Sequence, residues 1–345
     1  MRTLIVSGIL AAVALVSALP AGAVQARSST IAVAPDGARV WVVNRDSNSV
    51  SVLDTLTLSV LHETPVGREP RSLAITPDGS KVYVTCLRDN RVDVVDGATF
   101  ALSRSIAVER EPFGVVVAPN GAKVYVTNTA SGTLSVIDPA TDTVTTTIAA
   151  GGRPRGLAVS TDSATLALTH YLTPTPSLNG VVSLYATATL AAPTNVNLPV
   201  LPPRTQLDGV PNILEQATFR PGSTQVWLPF VASITGNANL SLLTSVRPEV
   251  AIVDTSQVPP VEPPGTRMNL NLIIGSPAVS QPVALDFTPS GGVVLVVNQA
   301  SNDVTILAAP TRTEIRTVAV GSAPDGIAVS PDGARAYVSN FLSRS

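Results

Sequence analysis

The feature that most restricts what this chain can fold into is a turn that returns at a fixed interval. Pro-Asp-Gly or Pro-Asn-Gly begins at Pro35, Pro77 and Pro119, evenly spaced, and Thr161 begins a degenerate copy one equal step further on. The turns resume at Pro221, Pro289 and Pro331, the last two separated by the same step, whereas the steps from Thr161 to Pro221 and from Pro221 to Pro289 are longer. A period of roughly 40 residues marks a repeat architecture with one supersecondary unit per register. Seven registers are visible.

Each full register reads alike. An apolar run such as Leu73-Ala74-Ile75 leads into the turn, and Val82-Tyr83-Val84 follows it. A third run such as Val92-Asp93-Val94-Val95 comes next, and a more polar stretch closes the register. Runs of this length between turn residues predict four short strands per repeat. The first two are nearly continuous in Val, Ile, Leu and Ala, the pattern of strands covered on both faces. The fourth, such as Thr143 to Ile148, is threonine-rich and suits an outer edge. One four-stranded sheet cannot cover both its faces, but sheets stacked radially cover one another. The expectation is an all-β chain, a β-propeller of four-stranded blades, seven in number; the dense turns and β-branched runs exclude a helical solenoid. The seventh register supplies two strands before Phe341 to Ser345. The mature N-terminus is expected to enter directly on a first strand near Ile31 with no spare strand before it, so either the last blade is incomplete or the natural protein is longer than this chain.

The second run carries a recurring signature. Tyr125-Val126-Thr127-Asn128 is its full form, with Tyr83-Val84-Thr85-Cys86, Trp41-Val42-Val43-Asn44, Leu295-Val296-Val297-Asn298 and Tyr337-Val338-Ser339-Asn340 as variants. On these residues the chain resembles the YVTN-repeat β-propellers over nearly all of residues 27–345. The resemblance implies the propeller fold and, by analogy only, the settings of such propellers: surface-layer proteins, small periplasmic propellers and propeller portions joined to haem domains. It implies no particular ligand.

Met1-Arg2, the apolar stretch from Leu4 to Leu19, and Pro20-Ala21-Gly22-Ala23 have the charged, apolar and small-residue regions of a secretory signal peptide. Residues 1–26 are read as that leader, cut after Ala23 or Ala26, and 27–345 as the propeller; the apolar run is short for a membrane span. The expected location is secreted, periplasmic or at the cell surface. The single cysteine, Cys86, excludes an intrachain disulfide, so packing must hold the fold. A formal net charge of -2 speaks against nucleic acid, whose phosphates need a clustered positive surface.

Register lengths place the insertions. The stretch from His170 to Ala186 is longer than its counterpart from Asn44 to Asp54, and that from Phe230 to Asp254 is longer still. Ala186 to Pro221 and Asp254 to Pro289 likewise exceed Asp54 to Pro77. The excess falls in loops between second and third strands and in the links between blades, all on one face of the disc. Insertions near 171–216 and 231–282 therefore gather over two adjacent blades, and a face so loaded is the expected binding face. Drifted surface loops covering a sheet edge are the other reading.

At the head of the innermost strands stand Ser29, Arg71, Phe113, Arg155, Glu215, Val283 and Asp325, which should ring one mouth of the central channel. Arg71 and Arg155, with Arg45, Arg88 and Arg153 in loops of the same face, suit a carboxylate or phosphate. Glu215 and Asp325 share the ring, so self-compensating structural charge is the alternative.

Cys86 and His170 occupy the signature's Asn position two blades apart, about 15 Å by strand spacing, too wide for one metal ion. No metal site and no cofactor are expected, since neither a Cys-x-x-Cys-His haem motif nor a Gly-x-Ser-x-Gly elbow occurs. Asp36, Asp78 and Asp332 read as turn residues rather than calcium ligands. The expected function is a non-catalytic binding scaffold whose loop-rich face meets a protein or a small anionic or saccharide ligand. Two alternatives stand beside it: the propeller portion of a longer electron-transfer protein with a c-type haem, and a lactonase-like hydrolase.

Overall fold

The structure, a computed structural model, describes residues 4–6, 26–171, 179–199, 209–234, 246–274 and 279–342. Among them stand six antiparallel sheets of four or five strands and one of three. The first sheet holds Ile31–Val33, Arg39–Asn44, Ser49–Asp54 and Val60–Pro65; the second Pro70–Ile75, Lys81–Cys86, Arg91–Asp96 and Leu102–Ala107. The third holds Pro112–Val117, Val124–Asn128, Thr133–Asp138 and Thr143–Ala149; the fourth Pro154–Val159, Thr165–His170, Gly180–Ala186 and Thr194–Leu198. In the fifth, Gly209–Asn212 and Thr218–Phe219 share the inner position against the long strand Gln225–Ile234, followed by Val246–Asp254 and Met268–Asn269. The sixth holds Pro282–Phe287, Val293–Asn298, Asp303–Ala308 and Thr313–Ala319. In the last, Pro324–Val329 and Ala336–Asn340 are joined by Leu4–Val6. The chain is a β-propeller, and among the described residues no helix is long and apolar enough to cross a membrane.

The core is a series of layers between sheets. Ala74, Tyr83, Val92 and Val94 of the second sheet pack with Val115, Val117, Val124 and Val126 of the third. The equivalent layer of Ile31, Val40 and Val42 with Ala328 and Tyr337 closes the ring between the last sheet and the first. Trp41, Tyr83, Tyr125, Trp227 and Tyr337, all buried, fill these layers from one position of the second strand. The threonine-rich strand Thr143–Ala149 is largely exposed at the rim. The aspartates of the turns do what the turn requires: the carboxylates of Asp36, Asp78 and Asp332 accept the amide N–H two residues on, at 2.9, 3.0 and 2.9 Å. Gly37, Gly79 and Gly333 follow at φ near +72°, where a side chain would be strained.

Two expectations need correction. A strand does stand before Ile31: Leu4–Val6 pairs antiparallel with Ala336–Val338, because an open sheet edge presents unpaired backbone groups to any extended segment. The chain also does not enter directly on the first strand. Residues 26–29 first run along the central channel, bridging Arg27 to Ala158 and Ser29 to Leu73. The Ser28 N–H donates to the Leu157 carbonyl at 2.9 Å, and the Val159 N–H to the Ala26 carbonyl at 2.9 Å. The Gln216 amide donates to the Ser28 carbonyl at 3.2 Å. The Arg27 side chain is buried, donating to the Ile327 carbonyl at 2.6 Å and pairing with Asp286 at 3.0 Å. The inserted loops lie in part outside the described residues. Their described parts include Met268–Asn269 and the short helix that follows it, Leu270–Ile274.

Candidate binding site at the channel mouth

The head of each inner strand is built to aim one side chain at the channel. In Pro70-Arg71-Ser72, Pro112-Phe113-Gly114, Pro154-Arg155-Gly156 and Pro324-Asp325-Gly326 the pairing with the second strand slips by a bulge just after the proline. A bulge leaves a residue out of the ladder and re-aims it. The signature threonine locks this arrangement. Thr127 Oγ1 accepts the Gly114 N–H at 2.9 Å and donates to the Arg155 carbonyl of the next sheet at 2.8 Å. Thr85 repeats this with Ser72 at 3.1 Å and Phe113 at 2.7 Å, and Thr169 with Gly156 at 2.9 Å and Leu214 at 2.9 Å. The glycines are required by closeness: a Cβ on Gly114 would stand 2.2 Å from the Arg155 carbonyl oxygen. The repeat thus positions both the mouth residues and their neighbours.

Ser29, Arg71, Phe113, Arg155, Glu215, Val283 and Asp325, the expected ring residues, all line one cavity of about 160 Å³, and Arg45 joins them. Arg88 and Arg153 do not line it. Arg88 is 61% exposed and turns to Glu69 at 2.6 Å, and Arg153 is exposed on its loop, because long side chains on surface loops keep their charge in water.

Each lining arginine has a carboxylate. Arg155 pairs with Glu215 at 2.6 Å, Arg45 with Asp325 at 3.4 Å, and Arg71 with Glu69, which it shares with Arg88. The guanidiniums also lie over rings: Arg155 at 3.6 Å from the Tyr171 centroid and 4.3 Å from Phe113, Arg71 at 5.7 Å from Phe113, and Arg45 at 4.4 Å from Phe341. Burial and the neighbouring charge of Arg45 hold Arg71 below the ordinary arginine range, with Arg155 adding to the effect. Burial likewise pushes the Asp325 carboxyl up, against hydrogen bonds from Ser339 and Thr30 and the Arg45 charge. The Nε–H groups of Arg71 and Arg155 are buried without partners. Three cations therefore converge on a small space whose carboxylates are occupied or disfavoured as anions.

Cys86 and His170 sit in separate sheets, as the register requires. Cys86 is fully buried, its thiol pushed up to about 12 by burial and by Asp93. His170 is buried with Nε2 2.9 Å from Ser183 Oγ, and burial pulls it down to about 4. Of the channel segment 26–29, sequence reasoning reached only Ser29. A second cavity of about 370 Å³ lies beyond it, lined by Arg27, Asp286, Phe219, Phe287 and turn prolines.

Comparison with known proteins agrees with the architecture. A family model described as "Lactonase, 7-bladed beta-propeller" matches residues 5–104. Among solved structures, a chain of Kuenenia stuttgartiensis hydrazine synthase is similar with a TM-score of 0.82 at 20% identity, covering 98% of this chain and 97% of that one. No curated protein sequence matches. At this identity the likeness is one of fold.

Proposed function

We propose that this chain is an exported, non-catalytic binding protein, a propeller of seven blades, and that its channel mouth takes a small carboxylate or phosphate. The observation that carries the reading is the convergence of Arg45, Arg71 and Arg155 on one cavity with Phe113 between two of them. A guanidinium suits this task because its planar fork pairs two oxygens at once and its face stacks on a ring. The cavity is well below the roughly 300 Å³ at which sites for larger organic ligands begin, which selects an anion of few heavy atoms. Calorimetry of the exported protein against inorganic phosphate and a series of mono- and dicarboxylates tests this. Binding should weaken more than tenfold in Arg71→Ala and in Arg155→Ala and fall with added salt. Affinities unchanged in both variants reject the reading.

The family-model match favours one other reading, hydrolysis of a lactone in the same cavity, with Glu215 or Asp325 as its acid or base. Lactone turnover above buffer that Glu215→Gln or Asp325→Asn abolishes would replace the binding reading. A third reading, the propeller portion of a longer electron-transfer protein, rests on the repeat signature that resembles propellers joined to haem domains. A haem band in the visible spectrum of protein from its native source would support that instead.

A further inference from the structure

The charges of the channel mouth are sorted rather than mixed. Round the ring, Arg45 follows the second strand of the first sheet, and Arg71, Phe113 and Arg155 stand at the heads of the inner strands of the second, third and fourth. Glu215 lies between the two inner segments of the fifth sheet, and Val283 and Asp325 stand at the inner-strand heads of the sixth and the last. One arc is therefore cationic about an aromatic ring, and the other is anionic about an apolar side chain. Two seams join them. Arg155 meets Glu215 at 2.6 Å, and Asp325 meets Arg45 at 3.4 Å where the last sheet packs on the first.

Each arc repels itself. Burial holds Arg71 below the ordinary arginine range, and the charges of Arg45 and, to a lesser degree, Arg155 deepen the fall against Glu69. Burial raises the Asp325 carboxyl, and the charge of Glu215 adds to the rise, against Ser339, Arg45 and Thr30. The cationic arc also holds two unused donors, the Nε–H groups of Arg71 and Arg155, buried without partners on side chains that both lie over Phe113. Buried donors are nearly always hydrogen-bonded, so these two call for acceptor oxygens from a ligand. A simple anion that supplies them is repelled by Glu215 and Asp325, which line the same cavity. A molecule with a cation beside its carboxylate is attracted by both arcs.

We infer that the channel mouth binds a small α-amino acid as its zwitterion, the carboxylate accepting from Arg71 and Arg155 and the ammonium donating to Glu215. The inference rests on the channel-mouth reading above and narrows its ligand class. An α-amino acid bears its two charges on either side of one carbon, so it can lie across the Arg155–Glu215 seam and replace one ion pair by two. That seam is favoured because Asp325 at the other is already held by Thr30 at 3.3 Å and Ser339 at 2.7 Å. The Asp325 side chain is 9% exposed, against 29% for Glu215. The cavity of about 160 Å³ limits the amino acid to a short side chain, and with Arg45 on the same wall that side chain can itself be acidic.

The test is calorimetry of the full protein with ligands paired so that the two members differ by an ammonium alone: glycine with acetate, alanine with propionate, and aspartate with succinate. Each amino acid should bind at least tenfold more tightly than its carboxylate. Glu215→Gln should close that gap from both sides, weakening the amino acid and tightening the carboxylate, whose repulsion is gone. Where that variant fails to fold, the paired comparison on the unmodified protein decides alone. Carboxylates or inorganic phosphate that bind while the amino acids bind no more tightly overturn the inference and leave the channel-mouth reading standing, and so does a gap unchanged in folded Glu215→Gln. Absence of binding by amino acids, carboxylates and phosphate alike overturns that reading and the inference with it.

Discussion

Replacing Arg27 by methionine probes how the segment before the first strand sits in the channel. Arg27 is 3% exposed, and its partner Asp286 is held by the ion pair at 3.0 Å and by the N–H groups of Phe287 and Val329, both at 2.8 Å. Methionine keeps much of the arginine's apolar stem, so the change removes the charge and leaves Asp286 buried without a cation. Breaking a buried pair in this way costs about 3–5 kcal/mol. At about 2–4 °C per kcal/mol for a chain of this size, melting should fall on the order of 10 °C at pH 8. The sign of the pH dependence follows from Asp286, whose carboxyl burial already pushes above its ordinary range despite Arg27. Without Arg27 it rises further, so the folded state keeps a proton that the unfolded state releases above about pH 3.9. Stability then falls as pH rises through the window between those two values and is flat beyond it. The deficit of Arg27→Met should therefore be smaller at pH 5 than at pH 8, and Arg27→Met/Asp286→Asn should recover most of it at pH 8. Urea titrations at both pH values measure this. A loss under about 1 kcal/mol at pH 8, or equal losses at both pH values, would show that Arg27 does not neutralise Asp286 in the channel.

Thr127→Val should cost about 1–3 kcal/mol in urea unfolding, because it strips a partner from the Gly114 N–H and the Arg155 carbonyl; Val43 and Val297 already occupy the equivalent position, so the shape is tolerated. His170, pulled by burial from 6.5 to about 4, should make the wild type lose about 3 kcal/mol as pH falls through 6.5 towards 4, and His170→Asn should flatten that acid limb in melts across the range. Because the Ala26 carbonyl accepts the Val159 N–H, N-terminal sequencing of exported protein should find Val24 first, after a cut at Ala23; a start at Arg27 would mean that this bond is dispensable.

What the sequence disclosed is what is local and periodic. Turn chemistry needs only three adjacent residues, so the even period was readable, and with it the ring: the bulge after each proline is the same local event, and it aims Arg71, Phe113, Arg155 and Asp325 alike. Arg88 and Arg153 were misplaced because a loop of the same length in each register does not dictate where a long, solvated side chain points. The channel segment lies outside the repeat and obeys no period. Its signal was present only as an exception within the repeat: Asp286 occupies the inner-strand position that is Ala74, Val116, Ala158 and Ala328 elsewhere, each opposite the signature's first residue. A carboxylate there has no partner within its own unit, so one had to come from beyond the repeat, and Arg27 is that partner. The same logic covers Gln216, whose amide reaches the Ser28 carbonyl and the Leu285 N–H. Residues that follow the period tell what each sheet does to its neighbours. Polar residues that break it mark contacts with something other than a neighbouring sheet, and Asp286 and Gln216 both reach the segment before the first strand.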